Sequence, residues 1–168
     1  MRNIRISSLI DAPRHIPWAE QVISLLDPDL PYRFRSKLPT SRLLPYVPHV
    51  EGKRHLVRRF LDSVVINGRY SPTRKDMEDI FSWFRPNIPT LAHCHAGMSR
   101  SVSTAMGLML LQGSSYDDVG TAIREYEEDR CMWTEPNMLM VSYIDDILGH
   151  GGSFVDWSET TFYGGPGL

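Results

Sequence analysis

Apolar and polar residues alternate over residues 4–9 (IRISSL), the spacing of a half-buried strand, and Asp11, Pro13 and Pro17 end it. A loop or short helix is expected at 18–21, leading into the apolar run QVISLLD, which predicts a buried strand. From Arg54, RHLVRRFLDSV predicts a strand carrying Leu56 and either Val57 or Phe60, ending near Asp62. A short buried strand follows at 89–92 (PTLA). Elsewhere the period becomes helical. Met77, Ile80, Phe81 and Phe84 fall at i, i+3, i+4 and i+7, with Thr73 placed to cap and Asp76 in the first turn. Residues 101–113 are apolar nearly all round, which predicts a helix buried in a core. Ser114 or Ser115, followed by Asp117 and Asp118, opens another helix with Val119, Ala122, Ile123 and Tyr126 as its buried stripe. A last helix is expected to start within 134–136 and to run to Leu148, with Tyr143, Ile144, Ile147 and Leu148 inward and Gly149 as its stop.

Two stretches lack either period. Residues 27–48 contain five prolines and predict a long surface connection with at most one short edge strand. Residues 149–168 contain six glycines and predict a tail that is loosely ordered or laid over the surface. Strands before residue 93 and mostly helices after it give an α/β fold, a central mixed or mostly parallel sheet flanked by helices. The expected organisation is one domain over 1–148 followed by the Gly-rich tail 149–168.

Charge and cysteine usage narrow the function classes. With 18 basic and 20 acidic residues the net charge is −2, which gives no case for general nucleic-acid or membrane affinity. Arg33, Arg35, Lys37 and Arg42 are either a solvated cluster of loop charges or a patch that draws an anionic substrate. Two cysteines without paired spacing suit a reducing compartment. The N-terminal stretch has no continuous apolar segment and no run of about 18 apolar residues occurs, so neither a signal peptide nor a membrane span is expected, and the expected location is the cytoplasm.

The chemistry concentrates in HCHAGMSRS, residues 93–101, a polar loop between a predicted strand end and a predicted helix start. Backbone N–H groups at a helix start lack intrahelical partners and converge on anions. Residues 95–99 supply most of those donors, and Ala96, Gly97 and Ser99 are small enough for the backbone to curl closely around a ligand. Arg100 adds a planar fork that can hold two phosphate oxygens. Thiols so placed ionise more readily than free ones, so the donors that bind phosphate also favour a nucleophilic Cys94 thiolate. HCH does not make a metal site, because three consecutive residues do not readily converge on one ion and no spaced Cys or His pair completes the set. Cys131 is either a spare thiol or a resolving partner for Cys94 on oxidation.

The pattern HCxxGxxRS resembles the signature of the cysteine-dependent protein tyrosine phosphatase superfamily, and HCHAGMSRS followed by small residues is closest to its dual-specificity branch. The resemblance implies a compact α/β phosphatase domain without a cofactor or metal, acting through a phosphocysteine. It implies Cys94 as nucleophile, and Arg100 as the group that binds and stabilises the phosphoryl. It also implies Ser101 as hydrogen-bond donor to the sulfur, and His95, Ala96, Gly97, Met98, Ser99 and Arg100 as the phosphate cradle. His93 is expected to order the loop by hydrogen bonding behind Cys94, and His95 to sit at the pocket mouth within reach of substrate. The family carries a general acid on a mobile loop at about the separation of Asp62, 32 positions before Cys94; Asp27, Asp29, Asp76 and Asp79 are the competing carboxylates. EPNMLMVSYI is similar to the family's PN-containing helix, with Met140 and Tyr143 in place of its usual Phe and Gln. The cradle has no lysine for extra phosphates, which favours a phosphoprotein or phosphopeptide partner carrying phosphotyrosine, with phosphoserine and phosphothreonine also open. The alternatives are a catalytically weak phosphotyrosine-binding homologue, or a phosphatase for an RNA 5′ end or a phosphoinositide.

Overall fold

The computed structural model describes residues 3–28 and 50–164. Asp29, the four basic residues of the 27–48 connection and nearly all of that connection lie outside the described residues.

Four strands, β1 (Ile4–Ser8), β2 (Gln21–Leu26), β3 (Arg54–Arg59) and β4 (Thr90–Cys94), form one sheet in the order β1-β4-β2-β3. Every pairing is parallel. The two inner strands, β2 and β4, are buried at every position, which explains why QVISLL and TLAHC lack the alternation seen in β1. Neighbouring side chains point to opposite faces. Val22 and Leu91 therefore pack under the short helix α1 (Ala12–His15), while Ile23 and Leu25 enter the larger core on the other face. The helical turn expected at 18–21 lies earlier, at α1, because Gln21 already opens β2; its side chain donates to Arg85 O and Thr90 Oγ1.

The large face is covered by α2 (Arg74–Trp83), α3 (Arg100–Leu111), α4 (Tyr116–Arg130) and α5 (Met138–Leu148). Helices α2 and α4 begin with reciprocal capping boxes, Thr73 with Asp76 and Ser115 with Asp118, so their starts are set by local hydrogen bonds. Helix α3 is the central one, buried at every position from Arg100 to Leu110.

The segment expected to be loosely ordered or laid over the surface is instead largely helical. Residues Ser153–Phe162 form a further helix, α6, whose Phe154 is fully buried in the main core. Gly149, Gly151 and Gly152 all adopt positive φ and reverse the chain between α5 and α6, so these glycines make a tight turn. Asp145 of α5 then accepts hydrogen bonds from the backbone N–H groups of Gly152 (2.7 Å) and Phe154 (2.8 Å), capping α6 from the preceding helix. Trp157 stacks on Tyr116, with ring centroids 5.3 Å apart, and locks α6 to α4. No described helix is long and apolar enough to cross a membrane.

Candidate active site

Strand β4 ends at Cys94 and α3 begins at Arg100, so residues 95–99 form the connecting loop at the carboxyl end of an inner parallel strand. Three carbonyls of this loop face the surrounding protein. His95 O accepts from Leu9 N–H (3.1 Å), Gly97 O from the Tyr126 hydroxyl (2.9 Å) and Met98 O from Glu135 N–H (3.0 Å). In a planar trans peptide the N–H after a carbonyl points the opposite way. The N–H groups of Ala96, Met98 and Ser99 are thereby turned to the loop's inner side. Gly97 has φ +78°, and a Cβ there would lie 2.7 Å from the Tyr126 hydroxyl and 2.8 Å from Ser8 N, so only glycine fits.

Cys94 sits buried at the foot of this loop. Its Sγ lies 3.1 Å from Ser101 Oγ and accepts from Gly97 N–H at 3.3 Å. Ser101 lies within the first turn of α3, and the N-cap position belongs to Ser99, whose Oγ donates to Asp62 Oδ1 at 2.8 Å instead of capping.

Arg100 is buried and held from behind. Its Nη1 donates to Phe60 O (2.7 Å) and lies 2.8 Å from Asp27 Oδ1. Nε has no hydrogen-bond partner and stands 3.9 Å from Asp62 Oδ2. A buried donor without a partner is costly, and this one sits on a fork whose Nη1 is already engaged.

Asp62 lies across the loop, with its side chain 38% exposed. Its Oδ1 accepts from Ser99 Oγ and from Asn137 Nδ2 (2.7 Å), while Asn137 Oδ1 accepts from Met140 N–H and caps α5. One asparagine therefore both starts a helix and orients the carboxylate.

The fold has solved counterparts. No family model and no curated protein matches the sequence. The human tyrosine phosphatase-like serine/threonine/tyrosine-interacting protein is similar in structure, with TM-score 0.59 and 15% identity over 89% of this chain and 93% of that one. DUSP15 is similar with TM-score 0.58 and 16% identity over 96% and 91%. PTPMT1, solved in complex with PI(5)P, is similar with TM-score 0.55 and 13% identity over 89% and 95%. The chain has the fold of the tyrosine and dual-specificity phosphatases.

Within this phosphatase fold the remaining carboxylates have other duties. Asp76 caps α2 through Thr73, and Asp79 pairs with Arg58 at 2.7 Å and with Lys75. Two histidines depart from expectation. His93 is buried and its Nε2 bonds Ser24 Oγ (2.6 Å), which also meets His55 Nε2 (2.7 Å), so its bond runs sideways across the sheet to β2 and not to the loop. Burial, reinforced by His55 and His95, pulls the His93 imidazole down to about 3. His95 is not an open mouth residue. Its side chain is 10% exposed, with Nδ1 3.5 Å from Asp27 Oδ1, and burial lowers its pKa against the opposing pull of Asp27. Cys94 and Cys131 are both free, and Cys131 is exposed at the end of α4.

The residues that sequence reasoning left out of the site are Asn137 and Tyr126, and Asp27 entered it only as a competing acid. Signals existed. Asp27 directly follows a mostly apolar strand, at the sheet end where ligands bind in parallel folds. Tyr126 puts a hydroxyl in an otherwise apolar helix stripe, and a buried tyrosine hydroxyl seeks a partner.

Proposed function

We propose that this protein is a cysteine-dependent phosphatase of phosphoproteins, acting on phosphotyrosine and able to extend to phosphoserine and phosphothreonine. The observation that carries the reading is Cys94 Sγ at the foot of a loop with inward N–H groups, 3.1 Å from Ser101 Oγ and beside the unpartnered Nε of Arg100. The inward N–H groups of Ala96, Met98 and Ser99 and the free edge of Arg100 hold the phosphoryl oxygens and stabilise the charge of the transition state. The Cys94 thiolate attacks phosphorus, the bond to the leaving oxygen breaks, and Asp62 gives that oxygen its proton. The resulting phosphocysteine is hydrolysed when the Asp62 carboxylate takes a proton from water and the new P–O bond expels sulfur, with Ser101 donating to the departing thiolate. The products are the dephosphorylated hydroxyl and inorganic phosphate, and no step calls on a metal or cofactor.

Two free cysteines and a nucleophile that oxidation would disable suit a reducing compartment, so the cytoplasm is the proposed setting. The test is turnover of para-nitrophenyl phosphate in EDTA by wild type and Cys94→Ser. Wild-type turnover that the substitution abolishes supports the reading. Absence of wild-type turnover together with tight phosphopeptide binding replaces it with a phosphopeptide-binding protein on the same fold.

A further inference from the structure

A cleft of about 400 Å³ opens beside the phosphate loop, between the Asp62 segment and the start of α5. Met98 and Ser99 of the loop line it, and the rest of its wall includes Val64, Glu135, Pro136 and Tyr163. This wall combines apolar surface with negative charge. Val64 is 64% exposed and Tyr163 50% exposed. The Tyr163 hydroxyl donates to Pro136 O at 2.6 Å, which fixes the ring against the wall. Glu135 is held through its backbone N–H to Met98 O, and its exposed carboxylate has no ion-pair partner among the described residues. Burial, with the negative charges of Glu135 and Asp62, pushes the Tyr163 phenol up, and all three residues line this cleft.

Resting on the phosphatase reading, we infer that this cleft is a substrate subsite for a basic side chain, arginine above lysine, within two residues of the phosphorylated residue. An arginine matches each component of the wall. Its methylene stem covers the exposed Val64 while the head reaches outward. Its guanidinium stacks on the Tyr163 face and pairs with Glu135. An inositide bearing further phosphates, or an RNA end, would set like charge against Glu135, so the cleft favours a phosphopeptide.

The test compares kcat/KM for phosphotyrosine peptides carrying Arg, Ala or Glu at each position from −2 to +2, with para-nitrophenyl phosphate as the control for chemistry. At one of those positions Arg is expected to exceed Glu by roughly three- to tenfold, the scale of an exposed ion pair plus a cation–π contact. The advantage should shrink as salt rises, and Glu135→Lys should invert it. If para-nitrophenyl phosphate is not turned over, the phosphatase reading itself fails. If it is turned over but the Arg/Glu ratio stays near one, or Glu135→Lys leaves the ratio unchanged, the subsite is overturned. Faster turnover of phosphoinositide vesicles than of every peptide also overturns it.

Discussion

Arg100 lies near two carboxylates, and these differ in what they can reach. Asp27 is 13% exposed and tied to Nη1 at 2.8 Å, whereas Asp62 is 38% exposed, lines the open cleft and stands 3.9 Å from Nε. A general acid must touch the leaving oxygen, so Asp62 suits that role and Asp27 suits holding the guanidinium still. Leaving-group dependence separates them. Asp62→Asn is expected to lower kcat/KM by about 10²–10⁴-fold for aryl phosphates with poor leaving groups, and progressively less as the phenol becomes more acidic. Asp27→Asn is expected to cost roughly ten- to a hundredfold across the whole series, because a misplaced arginine hinders every substrate alike. A steep leaving-group dependence appearing in Asp27→Asn and not in Asp62→Asn would transfer the acid role to Asp27.

Elements with local causes were legible in the sequence, and those with distant causes were not. The starts of α2 and α4 are written in Thr73–Asp76 and Ser115–Asp118, pairs three residues apart that need nothing from the rest of the chain. The 95–99 loop between β4 and α3 is legible for the same reason, since Cys94, Arg100 and Ser101 are carried by one contiguous stretch. Asp27 is 73 positions from Arg100 and Asn137 is 75 from Asp62; their meetings depend on β2 lying beside β4 and on where α5 docks, which no local pattern encodes. Helix α6 was missed because Gly149, Gly151 and Gly152 read as looseness, while its cap, Asp145, belongs to another helix. Whether α6 is integral can be measured by urea unfolding. Phe154→Ala, at a fully buried site, is expected to cost about 3–5 kcal/mol, whereas Trp133→Ala, at a residue 83% exposed, should stay within about 0.5 kcal/mol. Equal small effects would mean that the core does not depend on α6.

At the scale of the whole molecule, four histidines among the described residues have their pKa values pulled down, each chiefly by burial: His15, His55, His93 and His95. His93 matters most, because its ring is fully buried in the central strand and its value falls from 6.5 to about 3. Between those pH values the unfolded chain binds a proton that the native chain refuses, so stability falls as pH drops from 6.5 towards 3. For His93 alone the loss across that window is on the order of a few kcal/mol. The lowered carboxyls of Asp11, Asp79 and Asp118 act in the same direction from their ordinary value of 3.8 downward, so they add to the histidine loss only at the acid end of the window. On the alkaline side Tyr126 is raised to about 12, and an unfolded chain that loses its phenolic proton near 10 again gains on the native one. Stability should therefore plateau from about pH 7 to 10 and decline on both sides. Urea midpoints at pH 8, 6, 5 and 4 measure the acid limb, and His93→Gln, which keeps a hydrogen-bonding group near Ser24 but cannot titrate, should flatten it. A wild-type midpoint unchanged between pH 8 and 4 would show that the native state accommodates a charged His93, and that the Ser24 bond alone does not hold it neutral.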